Sequence, residues 1–166
     1  MSEMKDMMTR KIFLDVCMGT ERLCADLYHC YGKVYEDIPE VNIFWKKAAR
    51  DKENLQKHYE LLLQLLNEIQ FDVPRDSLER AYGVRHKLLN LIGHVKNNKP
   101  DLATACSKAA EIEENLADMH DHPSLNFSDV CMLNLFKILG VAERDHVAAS
   151  ERSRTILHRP HCEMGG

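Results

Sequence analysis

The stretch Glu143-Arg144-Asp145-His146 sets a carboxylate and an imidazole three residues apart, a spacing that brings both side chains to one face of an α-helix. Two more glutamates stand out because each falls on the apolar stripe of its own segment. Glu21 comes one turn after Cys17 and one turn before Cys24, and Glu113 lies between Ala109 and Leu116. A carboxylate on an inward face is costly unless a cation or a hydrogen-bond donor meets it. In a four-helix bundle, one glutamate from each of two helices and a Glu-x-x-His pair from each of the other two enclose a dinuclear carboxylate metal site. Three of those four elements are legible here.

Such a site needs long helices to position it, and the composition favours them. The chain has 166 residues, 45% hydrophobic and 29% charged, with 7 Gly and 5 Pro. That is one soluble globular domain with few of the turns a many-stranded sheet requires. The first helical segment runs from about residue 9 to 34, with Phe13, Val16, Cys17, Cys24, Leu27, Tyr28 and Tyr31 recurring at steps of three and four. A second begins at Pro39, which suits a first helical turn, and its stripe reads Phe44, Trp45, Ala48, Leu55, Tyr59, Leu62 and Leu66 until Asp72-Val73-Pro74 stops it. Asp76 followed by Glu79 resembles a capping box and opens a shorter helix that dissolves at Asn97-Asn98-Lys99-Pro100. We expect this helix to be a connection packed outside the main bundle. Two further helices are expected over about 101–120 and 128–157, with His122-Pro123-Ser124 as the turn between them. The expected fold is all-α: an antiparallel four-helix bundle over residues 1–157, an extra helix in the connection between bundle helices 2 and 3, and a frayed tail over 158–166.

The chain also repeats itself. Glu21 to Tyr28 lies over Glu113 to His120 at an offset of 92, and Trp45 to Leu55 lies over Phe136 to His146 at an offset of 91. The second alignment sets aromatic on aromatic and Ala48-Ala49 on Leu139-Gly140. Two helical hairpins joined by the extra helix account for both.

In order and spacing these motifs resemble the rubrerythrin-like branch of the ferritin-like superfamily. The resemblance runs to about Leu157 and rests on Glu21 to Tyr28, Phe44-Trp45 with Ala48-Ala49-Arg50-Asp51, Ile112-Glu113, and Phe136 with Leu139 leading to Glu143 and His146. It implies a ferritin-like bundle with a buried metal site used for peroxide reduction, ferrous-iron oxidation or oxygen chemistry. The chain departs from the pattern on the second helix, where the family's Glu falls at Lys52 and its His at Leu55. The internal repeat gives the same two positions. Glu53 is a poor substitute, because one residue further along a helix is about 100° further around it.

Two readings follow. In one, Glu113, Glu143 and His146 hold a single iron, manganese or zinc ion with Glu21 beside it, two carboxylates and an imidazole being a competent ligand set. The resemblance then implies an oxidoreductase acting on peroxide or oxygen. Glu21 would shuttle protons, and an external electron-donor protein would be needed because no rubredoxin-like segment is present. In the other reading the Lys52 ammonium sits among Glu21, Glu113 and Glu143 and offsets their repulsion without metal. The chain is then a helical interaction or scaffold protein. Bundles of this kind commonly pair as homodimers.

Several classes are disfavoured. Lys and Arg number 22 against 26 Asp and Glu, a net charge of −4 with no basic block, so nucleic acid is not an expected partner. No window approaches the ~18 apolar residues of a membrane span, and the first residues lack the apolar run of a signal peptide. A cytoplasmic location is expected, with the six cysteines as thiols. No C-x-x-C pair encodes a rubredoxin or structural zinc site. Cys17, Cys24, Cys106 and Cys131 read as small buried hydrophobes and Tyr28 and His120 as donors beside the site. His29 reads as a surface residue, Met1, Met4, Met7 and Met8 as a flexible apolar edge, and His158, His161 and Cys162 as an adventitious cluster in the tail.

Overall fold

The computed structural model describes residues 2–68, 71–73, 75–120, 126–127 and 151. Among them the chain is mostly helical: α1 (Ser2–Val34), α2 (Pro39–Gln64), α3 (Arg75–Asn97) and α4 (Leu102–His120), with two short strands, β1 (Phe71–Asp72) and β2 (Asn126–Phe127). The helix expected over 128–157, with Glu143 and His146, and the tail over 158–166 lie outside the described residues.

At 33 residues, α1 is about 50 Å long at 1.5 Å per residue and is the element on which α2 and α3 pack. Its inward stripe is the one the periodicity marks: Phe13, Val16, Cys17, Cys24, Leu27, Tyr28 and Tyr31 are all buried. The helix begins earlier than periodicity suggests and takes in Met4, Met7 and Met8, whose side chains are exposed. Extending an existing helix fixes one residue per hydrogen bond gained, and Met, Lys and Glu are good helix formers, so no apolar contact is needed to carry it outward.

Pro39 opens α2 after Ile38, which is extended and gives no side-chain cap. Trp45, Ala49, Lys52, Leu55, Tyr59 and Leu62 form its buried stripe, with Ala49 rather than Ala48 as the fully buried alanine. The Asn42 amide donates to the Gly32 carbonyl at 2.7 Å and fixes the turn from α1 into α2. Behind it the Trp45 ring meets Tyr28, Tyr31 and Phe44, with centroids 5.5, 4.7 and 5.0 Å away, in the tilted and edge-on geometries aromatic rings prefer.

The third helix corrects an expectation. Instead of lying outside the bundle, α3 packs along α1 and buries Ala81, Val84, Leu88 and Val95. These residues recur at steps of three, four and seven, a narrow stripe that suffices for one neighbour. The strands were also not foreseen. Phe71 pairs with Phe127 and Asp72 with Asn126, antiparallel, tying the chain after α2 to the chain after α4. A two-residue ladder is too short to show an alternating pattern. No helix among the described residues is long and apolar enough to cross a membrane.

The start of α4 is fixed from both sides. The Tyr35 hydroxyl donates to the Pro100 carbonyl at 2.6 Å, and Asp101 Oδ1 accepts the backbone N–H of Thr104 at 2.7 Å, a side-chain N-cap. Asp101→Ala is expected to lower stability by about 1 kcal/mol, whereas Asp101→Asn keeps an acceptor and should lose less. Urea unfolding followed by helical circular dichroism distinguishes the two.

Candidate functional site

Three helices each contribute one charged side chain to the same interior point. Glu21 stands on α1 within the stripe Cys17, Cys24 and Tyr28; Lys52 stands on α2 between Ala49 and Leu55; Glu113 stands on α4 between Ala109 and Leu116. All three have 0% exposure. Helical phase alone sends them inward, because each sits three or four residues from an apolar neighbour that packs.

The ammonium of Lys52 donates to Glu113 Oε2 at 2.7 Å and lies 3.5 Å from Glu21 Oε2. The other oxygen of Glu113, Oε1, accepts from the Tyr28 hydroxyl. Cys24, one turn before Tyr28 on α1, is fully buried next to this group. Burying one ion costs several kcal/mol even after relaxation, so a carboxylate at this depth depends on its cation and its donors. Glu113 has both.

Electrostatics keep the neutral partners neutral. Burial, reinforced by Glu21, pushes the Cys17 thiol well above its usual value of 9.0. Burial is also the chief cause at Cys24, where Lys52 opposes the rise. Tyr28 is driven well above 10.0 by burial, then by Cys24 and Glu113. Neither thiol is an activated nucleophile, since reactivity belongs to the thiolate. Tyr28 is a fixed donor.

Of the four residues expected to ligate a metal, the structure brings Glu21 and Glu113 together around Lys52. Glu143 and His146 lie outside the described residues. Leu55, at the other position the family pattern would fill, is buried on the same stripe as Lys52. Glu53 is exposed and bonds His29 Nε2 at 2.7 Å on the surface, so it does not reach the centre. Sequence reasoning placed Tyr28 near the site without its bond to Glu113. The available signal was the seven-residue step from Glu21 to Tyr28, two turns along one face.

As arranged, Glu21 and Glu113 hold the Lys52 ammonium between them. Both Glu113 oxygens already accept hydrogen bonds, and an ammonium occupies the space between the two carboxylates. Among the described residues, no group of three or more His, Cys, Asp or Glu side chains is disposed to hold a metal. The centre instead joins three helices through one cation, which is a strong constraint on their register.

Removing the cation should therefore be severe. Lys52→Met takes this cation away from two buried carboxylates and is expected to cost about 3–5 kcal/mol, while Lys57→Glu on the exposed face of α2 stays within about 0.5 kcal/mol of wild type. Adding Glu113→Gln to Lys52→Met should recover part of the loss. A denaturation double-mutant cycle is expected to give a coupling near the top of the roughly 0.5–3 kcal/mol found for contacting residues.

Alkaline pH gives a second test. In the unfolded chain thiols and phenols release protons near their usual 9.0 and 10.0, whereas folded Cys17, Cys24 and Tyr28 retain them, and Tyr35 is pushed up to about 12. The folded state then binds more protons than the unfolded one, so stability falls as pH rises. Stability should hold from neutrality to about pH 8.5 and decline above 9, each retained proton contributing about 1.4 kcal/mol per pH unit. Tyr28→Phe should be less stable at pH 8 but show a shallower decline above 10, measured by urea unfolding across this range. Comparison of the chain with protein-family models, curated proteins and solved structures finds no match, so any functional reading rests on this centre and on the surface around it.

Proposed function

We propose that this chain is a ferritin-like helical bundle in which Lys52 takes the place of a metal ion, and that it works as a non-enzymatic interaction or scaffold protein. The observation that carries this reading is the Lys52 ammonium 2.7 Å from Glu113 Oε2 with Glu21 on its other side. The internal repeat supports it as well. Glu21 and Glu113 occupy matching positions of the two halves and both are fully buried, while Lys52 and Leu55 replace the residues that match Glu143 and His146. A positive charge is retained at the centre, and the redox capacity of a metal is not. Lys52, Glu21, Glu113 and Tyr28 are all closed to solvent, so a substrate of more than a few atoms has no route to them in this fold. Function then belongs to the outer surface of the bundle.

The mononuclear alternative, with Glu113, Glu143 and His146 as ligands and Glu21 beside them, requires a metal to displace Lys52 from Glu113. The purified protein is expected to contain no stoichiometric iron, manganese or zinc by elemental analysis, and ferrous iron or zinc should leave its melting temperature unchanged. Lys52→Glu with Leu55→His restores the missing Glu-x-x-His pair, and its melting temperature should rise with ferrous iron by mass action. One metal per chain in the wild type, lost in His146→Ala, would overturn the proposal in favour of an oxidoreductase acting on peroxide or oxygen with an external electron donor.

A further inference from the structure

Between α3 and α4 the packing leaves an open groove of about 520 Å³. Its floor is apolar: Tyr31 from α1, Leu91 from α3 and Ile112 from α4. Its walls are cationic, with Lys87 from α3, Lys99 from the connection and Lys108 from α4. Glu111 is the one acidic residue on the lining, and Lys108 faces it at 3.6 Å across an exposed, loosely held pair. Lys87 and Lys99 have no acidic partner among the described residues.

The charge here runs against the rest of the molecule. The chain as a whole carries a net charge of −4, yet the groove sets three lysines against one glutamate. A concave, low-dielectric wall with one sign of charge focuses its potential on what enters. Apolar residues beneath that rim would otherwise be covered in a well-packed seam between helices. A volume of this size falls within the roughly 300–1,000 Å³ of small-molecule pockets, which combine an apolar lining with a few placed polar groups.

We propose that the groove binds an amphiphilic organic anion: a carboxylate with an aliphatic or aromatic body, its head on Lys87, Lys99 and Lys108 and its body on Tyr31, Leu91 and Ile112. Neither Lys52 nor the two glutamates of the buried centre line it, so its occupancy is independent of how that centre is read. Tyr31 is the link to a built-in reporter. Its ring lies 4.7 Å from that of Trp45, the only tryptophan in the chain.

The test is calorimetric titration of the full chain with dodecanoate below its micelle concentration, alongside dodecyltrimethylammonium, which has a tail of the same length and the opposite charge, and acetate, which is the head alone. Dodecanoate should bind saturably, shift Trp45 fluorescence and weaken as salt is raised, with the cation at least about tenfold weaker and acetate undetectable. Lys87→Glu with Lys108→Glu should reduce dodecanoate affinity about tenfold or more and narrow the preference over the cation. The half-buried Leu91→Asn should weaken both amphiphiles, and Lys57→Glu should change neither. Melting temperatures of the variants close to wild type exclude unfolding as the cause. The proposal is overturned by an absence of saturable dodecanoate binding, by equal binding of the two head groups, by charge reversal without effect, or by binding confined to an acidic helical peptide.

Discussion

The rest of this structure is organised around a charge that cannot be left alone. Lys52 lies at the meeting point of α1, α2 and α4 with no access to water, and its ammonium is held by Glu113 with Glu21 on the other side. Buried ion pairs contribute little net stability compared with apolar packing, because desolvation offsets much of their attraction. What such a pair supplies is intolerance of error. A one-residue slip of any of the three helices would strand at least one ion in the interior, so the register that satisfies all three side chains excludes its neighbours.

Around that point the polar groups are layered. Tyr28 closes the second oxygen of Glu113, and the Trp45 aromatic cluster seals the next layer toward Tyr31. Burial keeps the thiols and phenols protonated, so these groups position one another without competing for the cation. Such a centre suits holding helices together.

The helix between α2 and α4 does more than connect them. With its buried stripe on α1, α3 extends the core beyond the α1–α2 hairpin, and with its other side it forms the cationic groove shared with α4. Charge is thus paired in the interior around Lys52 and gathered as lysines along an open seam at the surface.

Periodicity by itself determined that helices fill most of the described residues and gave the inward phase of Glu21, Lys52, Leu55 and Glu113, because a period of 3.6 residues fixes which side chains share a face before any partner is known. It ran the second helix on to Asp72, whereas α2 ends at Gln64. The offset repeat likewise set Lys52 opposite Glu143, a deduction from local alignment. Tertiary structure alone decided which oxygen of which glutamate meets Lys52, that Tyr28 bonds Glu113, that α3 packs along α1, and that residues 71–72 pair with 126–127. These features depend on the distance and rotation between helices. A one-dimensional pattern records the face that each helix buries and is silent on which neighbour covers it or how closely the seam between two helices shuts.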